Sequence, residues 1–352
     1  MKIGLIGLPQ VGKSTLFRLL TDGAHAASRG KAGIGVANIP DGRIDKLTEL
    51  YEPKKTIYAT LELVDIEGFT PGEGTSRFLS AVQDVDALVQ VVRAFTEPGV
   101  AKLLPDGDAA DELLALQEEL ALVDWTLMEN RLTRLEKERK KAAPREEELA
   151  LLARVRDALE EGIHLRTMEF TEDEAKLLQG YSFYTAKPLI IVVNVDDDQL
   201  QSGDYPGRDR ILRWAEEQGV ILLPVAVQME WEIAQLPPDD REVFMADLGL
   251  DSTGVARLAR AVYQQLGLIS FFTVGKDEVR AWTIKAGTSA KRAAGKIHSD
   301  IERGFIRAEV ISYTELVELG SMAKAREEGR LRLEGKDYIV QDGDVINFRF
   351  NV

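Results

Sequence analysis

Gly7-Leu8-Pro9-Gln10-Val11-Gly12-Lys13-Ser14 fits the phosphate-loop pattern G-x-x-x-x-G-K-[ST] at every fixed position. The run before it, Lys2 to Gly7, reads as a short apolar strand, and Thr15-Leu16-Phe17-Arg18-Leu19-Leu20 after it reads as a helix. Glycines in such a loop let the backbone curl until its N–H groups face one centre. The helix that follows adds the positive end of its dipole. Lys13 is expected to place its charge on the β- and γ-phosphates of a nucleotide and so to serve catalysis. The Ser14 hydroxyl is expected to ligate Mg²⁺. The residues expected to hold the phosphates are Gly7, Pro9, Gln10, Val11, Gly12, Lys13, Ser14 and Thr15.

Four more apolar runs, Leu61 to Ile66, Ala87 to Val92, Pro188 to Asn194 and Ile221 to Val227, look like strands covered on both faces. Helical segments separate most of them, which predicts a parallel α/β sheet. Two of these runs end in chemistry. Asp65-Ile66-Glu67-Gly68 closes the first. Asp65 is expected to hold Mg²⁺ directly or through water, and Gly68 to offer an unhindered N–H to the γ-phosphate, a catalytic contact. The same four residues also spell an ordinary strand-end turn. Asn194 closes the third run, followed by Val195 and Asp197, where GTPases carry N-K-x-D. An aspartate there accepts from guanine N1–H and from the exocyclic amine. Asp196-Asp197-Asp198 also reads as an Asx-rich turn capping a helix, and the two readings are compatible. Ras-like enzymes orient water with a Gln just after D-x-x-G; Phe69 stands there, so intrinsic hydrolysis should be slow.

From about Asp108 to Gly162 the pattern is helical. Leu113, Leu116, Leu120, Val123 and Leu127 form one apolar seam, and Leu149, Leu152, Val155 and Leu159 a second, with Pro144 between them. This is an αα-hairpin inserted between sheet strands. From about Ile269 the chain reads as a small α+β domain, with strands over Asp337 to Val340 and Val345 to Phe350 around the turn Asp342-Gly343. The net charge of −15 argues against general coating of nucleic acid. It is uneven, however. Arg131 to Arg145 holds seven basic and two acidic residues, and Lys276 to Arg307 eight basic and four acidic. These islands are either solvated faces or contacts to phosphate at defined places. The absence of Cys removes any disulfide framework or thiolate metal site. His25, His164 and His298 share no metal-ligand spacing. No apolar run approaches the ~20 residues of a bilayer span. A cytoplasmic protein without membrane contact is expected.

Together these motifs resemble the YchF (EngD) family of Obg-related P-loop NTPases, over nearly the whole chain. The resemblance is carried by the phosphate loop, Asp65 to Gly68, the helical insertion and Asn194. It also rests on Val279-Arg280-Ala281-Trp282-Thr283-Ile284, Ala294-Gly295-Lys296-Ile297-His298, Glu302-Arg303-Gly304-Phe305-Ile306-Arg307-Ala308 and Glu334-Gly335-Lys336-Asp337-Tyr338-Ile339-Val340. These last stretches look like the family's TGS domain, a β-grasp fold. The resemblance implies a Ras-like G domain over residues 1–107 and 176–268, an inserted helical hairpin over 108–175 and a TGS domain over 269–352. It implies a switch that hydrolyses ATP, and GTP as well, with Mg²⁺ and a preference for ATP, and that associates with ribosomes or RNA through the insertion and the TGS domain; a monomer is expected. The alternative is a nucleotide-sensing ribosome- or RNA-binding module with little turnover. Adenine would be read through backbone groups near Val195. Four departures from the family stand out. Gln10 replaces an Asn, the segment Ser28 to Gly35 lacks the family's Thr, Gly68 to Gly74 is shortened, and Asp197 replaces a Glu.

Overall fold

The computed structural model describes residues 1–21, 23, 33–70, 75–97, 104, 106–139, 146–247 and 252–351. In chain order the elements begin with β1 (Lys2–Ile6), α1 (Lys13–Leu20), β2 (Gly33–Asn38), α2 (Gly42–Tyr51), β3 (Lys55–Ile57), β4 (Thr60–Asp65), α3 (Thr75–Gln83) and β5 (Ala87–Arg93). The middle holds α4 (Ala109–Arg139), α5 (Glu146–Glu160), α6 (Glu172–Gln179), β6 (Leu189–Asn194), α7 (Asp197–Ser202), α8 (Arg208–Glu217), β7 (Ile221–Val225), α9 (Val227–Gln235), α10 (Pro238–Asp247) and α11 (Gly254–Gln265). The chain closes with β8 (Leu268–Val274), β9 (Glu278–Lys285), α12 (Ala290–Ile297), α13 (Ser299–Arg303), β10 (Phe305–Ser312), α14 (Tyr313–Leu319), α15 (Met322–Glu327), β11 (Arg332–Glu334) and β12 (Asp344–Phe350). Two compact units result, Met1–Val36 with Glu62–Arg257, and Ala37–Leu61 with Leu258–Val352.

The first unit is built on a sheet of order β2-β4-β1-β5-β6-β7. β1 runs parallel to β4 and β5, β5 to β6, and β6 to β7. Every residue of β5 and β6 is buried, as their unbroken apolar runs require of central strands. Because these strands are parallel, Ile6, Asp65, Arg93 and Asn194 end on one edge, where open α/β sheets bind ligands.

Helices α4 and α5 run antiparallel, since Arg131 pairs with Glu148, Glu129 with Arg156, and Trp125 with Glu160. Their core contains Met128, Leu132, Leu135, Leu152 and Val155. The seam expected through Val123 and Leu127 is not the packed one. Leu127 is 40% exposed, while Asp124 and Met128 are buried in line with Leu120. A straight helix drifts against a strict heptad. Asp124 is tolerated inside because its carboxylate accepts from the N–H groups of Tyr184 and Thr185 and from the Thr185 hydroxyl. Lys140, Lys141, Pro144 and Arg145 lie outside the described residues, as does the side chain of Arg139. Arg131, counted in the first basic island, is engaged by Glu148 and Tyr181.

The second unit has a sheet of order β11-β10-β12-β8-β9-β3. Its core includes Phe271, Ala293, Ala294, Val310 and Phe348. The expected boundaries put residues 37–61 with the nucleotide-binding domain. Instead they join the second unit, because β3 pairs in parallel with β9 and α2 packs on β8 and β9. Arg43 of α2 adds an ion pair with Asp342 at 2.7 Å. The strand expected over Asp337 to Val340 is also absent; only Ile339 bridges, to Ser289. Asp344 accepts from the Tyr338 hydroxyl and from Gln341 N–H, folding the segment into a compact loop. β12 pairs with β10 and β8 instead. No helix among the described residues is long and apolar enough to cross a membrane.

Candidate nucleotide-binding site

The loop between β1 and α1 passes through left-handed conformations at Gln10 (φ 65°) and Gly12 (φ 90°). At Gly12 a Cβ would also collide with the side-chain amide of Asn194. Glutamine is uncommon in this region of backbone space, and holding it there costs of order 1–3 kcal/mol. Asparagine adopts it more readily.

Lys13 opens α1 and is buried. Its Nζ lies 2.8 Å from Oδ1 of the fully buried Asp65 at the end of β4, and Ser14 Oγ donates to Asp65 Oδ2 at 3.0 Å. Residues some fifty positions apart in sequence thus form one cluster beneath the loop. A hydroxyl and a carboxylate side by side are the hard oxygen donors that Mg²⁺ takes. The residues therefore fit the ion. Gly68 passes so close to the loop that a Cβ would come within 3.0 Å of Pro9 N. The next residue, Phe69, donates its N–H to the Gly7 carbonyl at 3.0 Å. Its ring is buried against Phe78, 5.1 Å between centroids.

Asn194 ends β6 and braces the loop. Its Nδ2 donates to the Val11 carbonyl at 3.0 Å, and its Oδ1 accepts from Val227 N–H at 3.2 Å. Val195 is buried and its N–H goes to the Val225 carbonyl at 3.1 Å. The N–H of Asp196 goes to Gln199 Oε1, in a capping box that starts α7. The two backbone donors at Val195 and Asp196 are therefore engaged within the protein. Asp197 lines the cleft. Its carboxyl is pushed above the usual range, first by burial and then by Glu232, Asp196 and Asp198.

A cleft of ≈ 1020 Å³ gathers these residues. Pro9, Gln10, Gly12, Lys13, Ser14, Thr15, Gly68, Asn194, Val195 and Asp197 line it. Gly7, Val11 and Asp65 are not among its lining residues. Phe95, Thr96 and Gln228 also line it, and the sequence motifs did not point to them. Phe95 follows the end of β5, and its position just past a central parallel strand is the signal that would have found it.

P-loop nucleoside triphosphatases join a glycine loop to a strand-end aspartate in this way, and the chain is one of them. A family model described as "50S ribosome-binding GTPase" matches residues 2–142. The model YchF-GTPase_C, described as "Protein of unknown function (DUF933)", matches residues 268–351. The ribosome-binding ATPase YchF of Bacillus subtilis is 40% identical, covering 99% of this chain and 99% of its own. The protein of the same name from Haemophilus ducreyi is 40% identical over 100% of this chain and 99% of its own. The solved structure of the Schizosaccharomyces pombe YchF GTPase matches with a TM-score of 0.88 and 30% identity, covering 99% of this chain and 97% of that one. The chain belongs to the YchF family.

Proposed function

We propose that this chain is a Mg²⁺-dependent ATPase switch acting at the ribosome, and that it also accepts GTP. The observation that carries the reading is the Lys13–Asp65–Ser14 cluster beneath the phosphate loop. The names of relatives aligned along the full chain support the ribosome and ATP. Bound Mg²⁺ would be held by Ser14 and Asp65 and would neutralise phosphate oxygens. Lys13 would turn from Asp65 to the β- and γ-phosphates, and the Gly68 N–H would meet the γ-phosphate. Phe69 has no group to orient water, and its buried ring is committed to Phe78. Turnover by the isolated protein should therefore be slow, well below the ~10 s⁻¹ enzyme median. The same observation favours the second reading, a nucleotide sensor that hardly turns over.

The C-terminal unit acts as a TGS-type β-grasp domain and the α4–α5 hairpin as a second contact, on a monomeric protein. On α12, Ala290, Ala293 and Ala294 face inward while Lys291, Arg292 and Lys296 are exposed, which suits contact with RNA phosphate. Co-sedimentation with ribosomes over a salt series tests this. Reversal of Lys291, Arg292 and Lys296 to Glu, or of Arg139, Lys140 and Lys141 to Glu, should weaken association and flatten its salt dependence. Nucleotide affinity should not change. Binding equal to the parent's in both triple variants would remove these surfaces from the account.

A further inference from the structure

The wall of the cleft formed by the residues after β5 is clamped from two sides. On one side, the N–H groups of Ala94 and Phe95 both donate to the Asn194 carbonyl, at 2.9 and 3.0 Å. Gln199 Nε2 donates to the Ala94 carbonyl at 3.0 Å, and Thr96 N–H reaches Asp196 Oδ2 at 3.4 Å. On the other side stands Arg93. Its guanidinium lies 4.6 Å from the centroid of the Phe95 ring, and its Nε donates to the Phe95 carbonyl at 3.4 Å. Arg93 is only 4% exposed. Its backbone N–H is held at 3.0 Å by Oε2 of Glu112, a residue of the first turn of α4 that is itself 4% exposed. Stability does not call for two buried charges here, since apolar residues of similar volume serve a core as well or better. What the charges do supply is a flat, rigid cation behind an aromatic ring that lines the cleft.

We propose that Arg93 and Glu112 are positioning residues for the nucleotide base. Glu112 holds the Arg93 backbone, and the guanidinium backs the Phe95 ring, which lines the cleft and stacks on a purine there. This rests on the nucleotide reading of the cleft and extends it to the base. Stacking of this kind is tolerant of base identity, because every base has a π-face. It therefore accounts for the binding of both adenine and guanine nucleotides without an edge contact at Val195. It also ties the root of the helical hairpin to the occupant of the cleft.

The test is calorimetric titration with Mg²⁺-ATP and, separately, with Mg²⁺ and inorganic tripolyphosphate, which shares the phosphates and lacks the base. Phe95→Ala should weaken ATP binding by on the order of tenfold. The double variant Arg93→Met with Glu112→Gln, which removes both buried charges, should weaken it by roughly three- to fivefold. Arg93→Lys should resemble the double variant, because an ammonium is not a plate. Tripolyphosphate affinity should stay within about twofold of the parent's in all three, a ratio that a general loss of structure would not preserve. Equal weakening of ATP and tripolyphosphate, or undiminished ATP affinity in the double variant, would overturn the proposal. A parent that binds neither ligand would instead bring down the nucleotide reading of the cleft.

Discussion

Replacing Lys13 with alanine removes the cation that faces Asp65, and the result is predictable in both stability and binding. The pair is 2.8 Å long, with side chains 7% and 0% exposed. Removing one partner of such a pair costs about 3–5 kcal/mol, because it leaves a buried charge uncompensated. Asp65 keeps the Ser14 hydroxyl at 3.0 Å, so the lower end, ~3 kcal/mol, is expected. In a domain of this size each kcal/mol moves the melting temperature by about 2–4 °C, so the variant should melt roughly 6–12 °C lower. Adding Asp65→Asn removes the buried carboxylate charge and should restore most of the loss. Neither variant should bind ATP measurably, since among the described residues no other cation lines the loop. Scanning calorimetry and isothermal titration read the two effects separately. Lys13→Ala melting within about 2 °C of the parent, with the double variant no more stable, would refute the energetic reasoning. Unchanged ATP affinity in Lys13→Ala would refute the site.

Three further outcomes follow from the structure. His164 is buried beside Arg166 and Trp214, and its pKa is held down to about 3 by burial and then by the Arg166 charge. An unfolded His takes its proton near 6.5, so between ~6.5 and 3 the unfolded chain binds more protons and stability falls as pH falls, by ~2 kcal/mol at pH 5. His164→Asn keeps an acceptor for Arg166 and should flatten that decline in urea melts; an equally steep decline would exclude His164 as its source. Phe69→Ala should destabilise the protein by ~3–5 kcal/mol while leaving turnover of the folded fraction unchanged. Rapid turnover by the parent that is lost in this variant would show that Phe69 serves catalysis. ATP and GTP affinities should differ by less than the ~1–3 kcal/mol of a good bidentate base contact, and Asp197→Glu should move the ratio toward ATP. A GTP preference of about a hundredfold that vanishes in Asp197→Ala would mean that Asp197 reads guanine directly.

What the sequence disclosed was local. The phosphate loop is contiguous, and its chemistry follows from residue types at fixed spacing. Asp65 was legible because a carboxylate at the end of a buried strand lands on the ligand edge of a parallel sheet. Asn194 was legible as a strand end, but its bond to Val11, 183 residues away, was not, since it depends on how β6 registers against β5 and β5 against β1. The same holds for Phe95 and for Glu112, whose roles exist only once α4 has docked on β5. That residues 37–61 join the second unit was not legible, because an amphipathic helix and a three-residue strand carry no mark of the sheet they will join. The packed seam of α4 runs through Asp124, a polar residue on the buried face, so the apolar pattern points one residue away from it.

ATP turnover by the parent and by Lys13→Ala, each measured alone and with added ribosomes, tests the central claim most directly. The account predicts slow hydrolysis by the parent, faster hydrolysis when ribosomes are present, and none above background in the variant under either condition. Hydrolysis that persists in Lys13→Ala at the parent's rate would contradict the assignment of Gly7 to Ser14 as the loop that holds the phosphates.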